Sequence, residues 1–137
     1  MTEKAITPNK DFMLRHVEHL FGDCIEDGLI ELAWTGPRNE DREVCYAQHF
    51  DVSDYSDLVD RAFEINSFHG SNVYIGAGLR KPSTQKGMRT KDAHVLMLPA
   101  LYIDLDDPGM AQAARDKVKH IQPTMIVTTG RIPHLRE

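Results

Sequence analysis

Apolar residues recur along the chain in two rhythms, and each rhythm predicts its own kind of element. Phe12, Met13, Val17, Leu20 and Phe21 fall on one side of a helical repeat that Gly22 ends. The spacing predicts a first helix over residues 8–21, with Thr7 as its N-cap and Pro8 at its first position. Leu29 to Trp34 reads as a strand, Gly36-Pro37-Arg38-Asn39 as a turn or loop, and Val44 to Phe50 as a second strand. Tyr55, Leu58, Val59, Ala62 and Phe63 mark one face of a second helix over about 54–66, which Ser53 can cap. Val73 to Leu79 predicts a third strand, and Gly76-Ala77-Gly78 within it predicts close backbone packing or a bulge.

The second half repeats the alternation. Residues 80–92 read as a basic loop, and Val95 to Asp104 as a long apolar strand that bends at Pro99. Asp107 and Pro108 form an N-cap and first-turn pair opening a helix to about His120, with Met110, Ala113, Ala114, Val118 and Ile121 turned inward. Thr124 to Thr129 is a short β-branched strand. Residues 100–129 thus have the length of one strand, helix, strand unit, and such crossovers join parallel neighbours. The expectation is a single layered α+β or α/β domain over residues 1–137, without internal repeats or long linkers.

Composition narrows the class. With 137 residues, 41% of them hydrophobic and 27% charged, the chain can bury a core without staples. No stretch reaches the roughly 18–20 uninterrupted apolar residues that span a bilayer, and MTEKAITPNKD has no apolar signal-peptide core, so the expected compartment is the cytoplasm. Cys24 and Cys45 stand apart from any CxxC pair and suggest ordinary thiols. The net charge of −5 argues against bulk electrostatic coating of nucleic acid. Its distribution matters more. No acidic residue lies between Glu64 and Asp92, whereas Arg80, Lys81, Lys86, Arg89 and Lys91 do, and Arg131, His134 and Arg136 follow near the end. A phosphate-bearing ligand is compatible with that pattern.

The chemistry-bearing stretch is ALYIDLDDPG, in which an apolar run ends in Asp104, Asp106 and Asp107. On a strand Asp104 and Asp106 share one side, about 7 Å apart along the backbone. Such carboxylates can converge on two divalent cations, which would relieve their repulsion and suit in-line phosphoryl transfer. Oxygen-only ligands favour magnesium or manganese. Helix capping accounts for Asp107 but not for the pair before it. An EF-hand starting at Asp104 fails, because Pro108 and Arg115 occupy ligand positions. A DxD after an apolar strand also occurs in haloacid dehalogenase-like phosphatases and in glycosyltransferases, and both stay open at this point. His16 and His19 lack an acidic third ligand, and the Gly76-Ala77-Gly78 stretch lacks the third glycine of a dinucleotide fingerprint. Trp34, Tyr46 and Tyr74 could stack on bases or serve as core.

The order DxD, helix, strand, then Gly-x-x-x-His resembles the archaeo-eukaryotic primase superfamily, specifically the primase-polymerase domains of phage, plasmid and mobile-element replication proteins. Leu101-Tyr102-Ile103-Asp104-Leu105-Asp106 matches the strand ending in DxD, Thr129-Gly130-Arg131-Ile132-Pro133-His134 aligns with the Ser-Gly-x-Gly-x-His segment, and NVYIGAGLRKP at 72–82 looks like the strand and basic turn before DxD. The likeness covers roughly residues 70–136. Ile132 departs from it, standing where the family has a small or hydroxyl residue.

The resemblance implies an RRM-like mixed sheet flanked by helices and a two-metal nucleotidyltransferase that extends or starts chains on a DNA template. Asp104 and Asp106 would ligate magnesium or manganese, and His134 would contact the nucleotide's phosphates. Arg80, Lys81 and Arg131 are candidates for phosphate or template contact by charge and place. The implied partners are a DNA template, nucleoside triphosphates and a helicase domain or protein, with no membrane. The family's third carboxylate lies on a strand well after the His, and Glu137 is too near His134 to be that residue. The expectation is therefore the front portion of a nucleotidyltransferase domain, an enzyme that lacks its third metal-binding carboxylate within these residues. The other readings are a nucleic-acid-binding remnant that works without metal and a DxD-dependent phosphatase or glycosyltransferase.

Overall fold

A computed structural model describes residues 7–36, 43–69, 71–104 and 107–127. Its contacts cluster into two units, Met1–Ala100 and Leu101–Glu137.

The first unit begins with helix α1, Lys10–Phe21. Its N-cap is Asn9, whose Oδ1 accepts the Phe12 N–H at 3.1 Å, so the helix starts two residues after the predicted Thr7 and Pro8. Asn is at least as good a cap as Thr, and here its side chain closes the first turn. Helix α2, Tyr55–Glu64, is entered through a 3-10 turn, Val52–Asp54, and leaves through a π-helical turn, Ile65–His69. Ser53 does not cap it: the hydroxyl donates to Asp54 Oδ1. The predicted inner face holds, with Leu58, Val59 and Ala62 buried and Ile65 extending it.

Strands β1 (Leu29–Thr35), β2 (Val44–Asp51), β3 (Val73–Ile75), β4 (Leu79–Arg80) and β5 (Val95–Met97) form one five-stranded sheet, and every pairing among the described residues is antiparallel. The fold is therefore α+β. β1 is the centre, with β2 on one edge and both β3 and β4 on the other. The single strand predicted over Val73–Leu79 is thus split at Gly76-Ala77-Gly78, in keeping with the bulge those glycines suggest.

Alternation along β1 sorts its residues to two faces. Ile30 and Leu32 meet Val17, Phe21, Leu58, Val59, Ala62, Ile65 and Leu79 in the helix-covered core. Each such large side chain contributes about 1.5–3 kcal/mol on burial. Leu29, Glu31, Ala33 and Thr35 take the opposite face and are also buried. At Glu31 that second face is covered by Arg89 and Thr90 of the segment between β4 and β5, which form the site described below.

The long strand predicted over Val95–Asp104 is corrected to Val95–Met97. Pro99 has no N–H to donate, and two-residue β4 offers little to pair with. Asp104 consequently lies in irregular backbone, as do Thr124–Val127, and the parallel strand, helix, strand unit expected over 100–129 is not formed among the described residues. In the second unit a 3-10 turn, Pro108–Met110, leads into helix α3, Ala111–Lys117. Asp107 Oδ1 accepts the Gly109 N–H at 2.8 Å and so closes the 3-10 turn, whereas α3 itself starts three residues later than expected, with Met110 at its N-cap position and no side-chain cap. The inward face expected for this helix is not: Met110 and Ile121 are exposed, and no residue of α3 is buried. Among the described residues no helix is long and apolar enough to cross a membrane.

Candidate functional site

β1 carries a glutamate in the middle of an apolar strand. Register places Glu31 directly opposite His49 of β2, and both side chains are shut off from solvent on the face away from the helices. A bare carboxylate there would cost several kcal/mol. The segment after β4 supplies what it needs. Glu31 Oε2 accepts the Thr90 N–H at 2.9 Å and the Thr90 hydroxyl at 2.6 Å, and Oε1 accepts Arg89 Nη1 at 2.8 Å. Arg80 Nη2 stands 3.7 Å from Oε1.

Arg80 is held by more than charge. Its Nε donates to Thr90 Oγ1 at 2.7 Å and its Nη1 to the Gly78 carbonyl at 2.6 Å, so the Thr90 hydroxyl accepts from Arg80 while donating to Glu31. Gly76 makes room for this guanidinium: a Cβ there would stand 2.8 Å from Nη2. The Gly76 N–H meanwhile bonds the Glu31 carbonyl, continuing the β1 edge across the break between β3 and β4.

His49 is fully engaged. The Gly87 N–H donates to Nδ1 at 3.1 Å, which leaves the proton on Nε2 to point at Glu31 Oε2, 3.2 Å away. Burial lowers the imidazole's pKa ahead of the opposing pull of Glu31, with Arg80 and Lys86 lowering it further. Burial pushes the Glu31 carboxyl up, but the Thr90 hydrogen bonds and the charges of Arg80 and Arg89 outweigh it and hold the group below its ordinary value. At neutral pH the cluster therefore has one carboxylate, two guanidiniums and a neutral ring, with one positive charge in excess.

Beside it opens a pocket of about 240 Å³ lined by Glu31, Ala33, Tyr74, Gly76, Arg80 and Arg89. Arg80 is 12% exposed and Arg89 45%. The carboxylate is held ionised by its donors, His49 Nδ1 already accepts the Gly87 N–H, and the charge left over is positive, so the arrangement suits binding of an anion.

Of the residues singled out from sequence, Arg80 joins this cluster. Lys81 does not line the pocket: its Nζ donates to the Ala93 carbonyl at 2.8 Å, and its backbone N–H bonds the His94 carbonyl, closing the base of the loop. Asp104 is exposed in the second unit, and Asp106, Arg131 and His134 lie outside the described residues. Because Asp104 is not on a strand, the alternation argument that aligned it with Asp106 does not apply. No cluster of three or more His, Cys, Asp or Glu suited to a metal occurs among the described residues. Trp34 packs on the core and stacks on Tyr46 at 5.8 Å with Arg61 over its ring, whereas Tyr74 is half exposed at the pocket.

Sequence reasoning passed over Glu31 and His49. The signal lay in β1 itself: Ile30 and Leu32 fill one face, so a glutamate on the other, between Leu29 and Ala33, is buried only if partners cover it. Comparison with protein-family models, curated proteins and solved structures finds no match to this chain.

Proposed function

We propose that the chain carries a metal-dependent nucleotidyltransferase domain of the primase-polymerase type, working with a DNA template, nucleoside triphosphates and a helicase. The observation that carries this reading is the order of Asp104-x-Asp106, an intervening helix, and Gly130-x-x-x-His134. Helix α3 falls in the interval where that order requires one. NVYIGAGLRKP supports it too, since the segment is a strand broken at glycines that ends on Arg80, a cation held beside an open pocket.

In this reading Asp104 and Asp106 hold magnesium or manganese, and the donor chemistry fits, being oxygen only and, at Asp104, open to solvent. When bound, such ions neutralise the triphosphate and polarise the attacking hydroxyl. His134 and Arg131 contribute donors for phosphate oxygens.

Thermal denaturation tests the reading. Manganese together with a deoxynucleoside triphosphate raises the melting temperature, and Asp104→Ala abolishes the rise. An unchanged melting temperature, or a rise that survives the substitution, overturns it.

A further inference from the structure

The pocket on the first unit has features that the metal reading does not use. Its cationic wall is prearranged. Arg80 is fixed at Nε and Nη1, and Arg89 is anchored through Nη1 on a carboxylate that is itself buried. Side chains held this way lose little freedom when an anion arrives. One positive charge remains after Glu31 is counted, next to the open volume. Gly76, by lacking a Cβ, leaves room for Arg80 Nη2, and Tyr74, 47% exposed, lines the same space.

A fixed pair of guanidiniums recognises a phosphate ester, and an exposed aromatic ring beside it recognises a flat base. The volume, about 240 Å³, is smaller than the roughly 300–1,000 Å³ of drug-sized sites and suits a single nucleotide unit. We propose that Arg80, Arg89 and Tyr74 form a metal-independent seat for one nucleotide, with its phosphate on the guanidiniums and its base on the tyrosine. Glu31 and Thr90 set the two arginines in place. The ligand chemistry is the same in a free nucleotide and in one residue of a single strand.

The test is fluorescence anisotropy of a labelled oligothymidylate of about a dozen nucleotides, with the chain in EDTA so that no metal site contributes. Saturable binding that weakens as salt rises is expected. Arg89→Ala weakens it about tenfold or more and Tyr74→Ala by roughly tenfold, the loss typical of one stacked base. Lys119→Ala removes an equal charge elsewhere and changes affinity less than about twofold. Competition with thymidine monophosphate separates the two sources: displacement at similar concentration identifies a free nucleotide as ligand, and failure to displace identifies a strand.

The proposal is overturned if no binding occurs in EDTA, if Arg89→Ala costs no more than Lys119→Ala, or if Tyr74→Ala binds as the parent chain does. Should Arg89→Ala fail to fold, Tyr74→Ala decides alone. Because metal is absent throughout, a negative result leaves the assignment of Asp104 untouched, and loss of the Asp104 assignment leaves this one standing.

Discussion

His49 on β2 and Glu31 on β1 face each other across the strand pair with 3.2 Å between Nε2 and Oε2, and neither side chain reaches solvent. The pair is the hinge between sheet and cover. Through His49 it holds Gly87, and through Glu31 it holds Arg89 and Thr90, so one buried carboxylate and one neutral ring organise a segment far along the chain.

Acid should weaken the first unit in two stages. The folded imidazole of His49 lies below its ordinary value near 6.5 because it is buried, so the unfolded chain takes up the proton first. Stability is full above about pH 6.5 and falls as pH drops below it. His16, lowered by burial and then by His19, adds to this stage. Glu31 keeps a folded value below its ordinary 4.5, so its contribution is present above about pH 4.5 and is lost as pH falls through the folded value. A melting-temperature profile should show both descents, the first reduced by His49→Gln and by His16→Gln. A flat profile between about pH 7 and pH 5 contradicts the assignment.

Removing the carboxylate leaves the largely buried Arg80 without its counter-ion and the Thr90 donors and His49 Nε2 without their acceptor. Glu31→Ala should cost about 3–5 kcal/mol in urea denaturation, the range for breaking a buried ion pair by deleting one partner. A loss under about 1 kcal/mol would mean the surroundings do not depend on Glu31.

Gly87 has φ +88° while its N–H bonds His49 Nδ1, and an added Cβ would touch nothing within 4 Å. The cost of Gly87→Ala is thus one of backbone conformation, about 1–2 kcal/mol, and Gly87→Asn should cost less because Asn tolerates that region better. Equal losses for the two variants would point to a steric cause instead.

Gly76→Ala places a methyl 2.8 Å from Arg80 Nη2, on a side chain that Thr90 and Gly78 hold in place. The expected loss is about 1–3 kcal/mol, shrinking markedly in an Arg80→Ala background. Additive losses in that double-mutant cycle would show that the two do not touch.

The first two helices and the first two strands were legible because their signals are local. Leu58, Val59 and Ala62 repeat at helical spacing and are buried, and Gly22 ends α1 where expected. Boundaries failed where neighbouring residues competed: Asn9 beside Thr7 could close the same turn, and only geometry chose between them. The cluster was illegible for a different reason. Thr90 and Arg89 reach Glu31 from 59 and 58 positions away, and no periodicity encodes that pairing. The run Val95–Asp104 misled because apolar composition suggests a strand without supplying a partner for it, and Pro99 with two-residue β4 leaves it unpaired after Met97. The aspartate pair was read from residues that the described structure only half includes, since Asp104 is described and Asp106 is not.

Manganese electron paramagnetic resonance tests the nucleotidyltransferase assignment most directly. With a deoxynucleoside triphosphate present, free-ion signal should decline saturably as the chain is added, and Asp104→Ala should restore it. Signal that stays undiminished by the parent chain, or that falls equally with Asp104→Ala, would contradict a metal held at that aspartate.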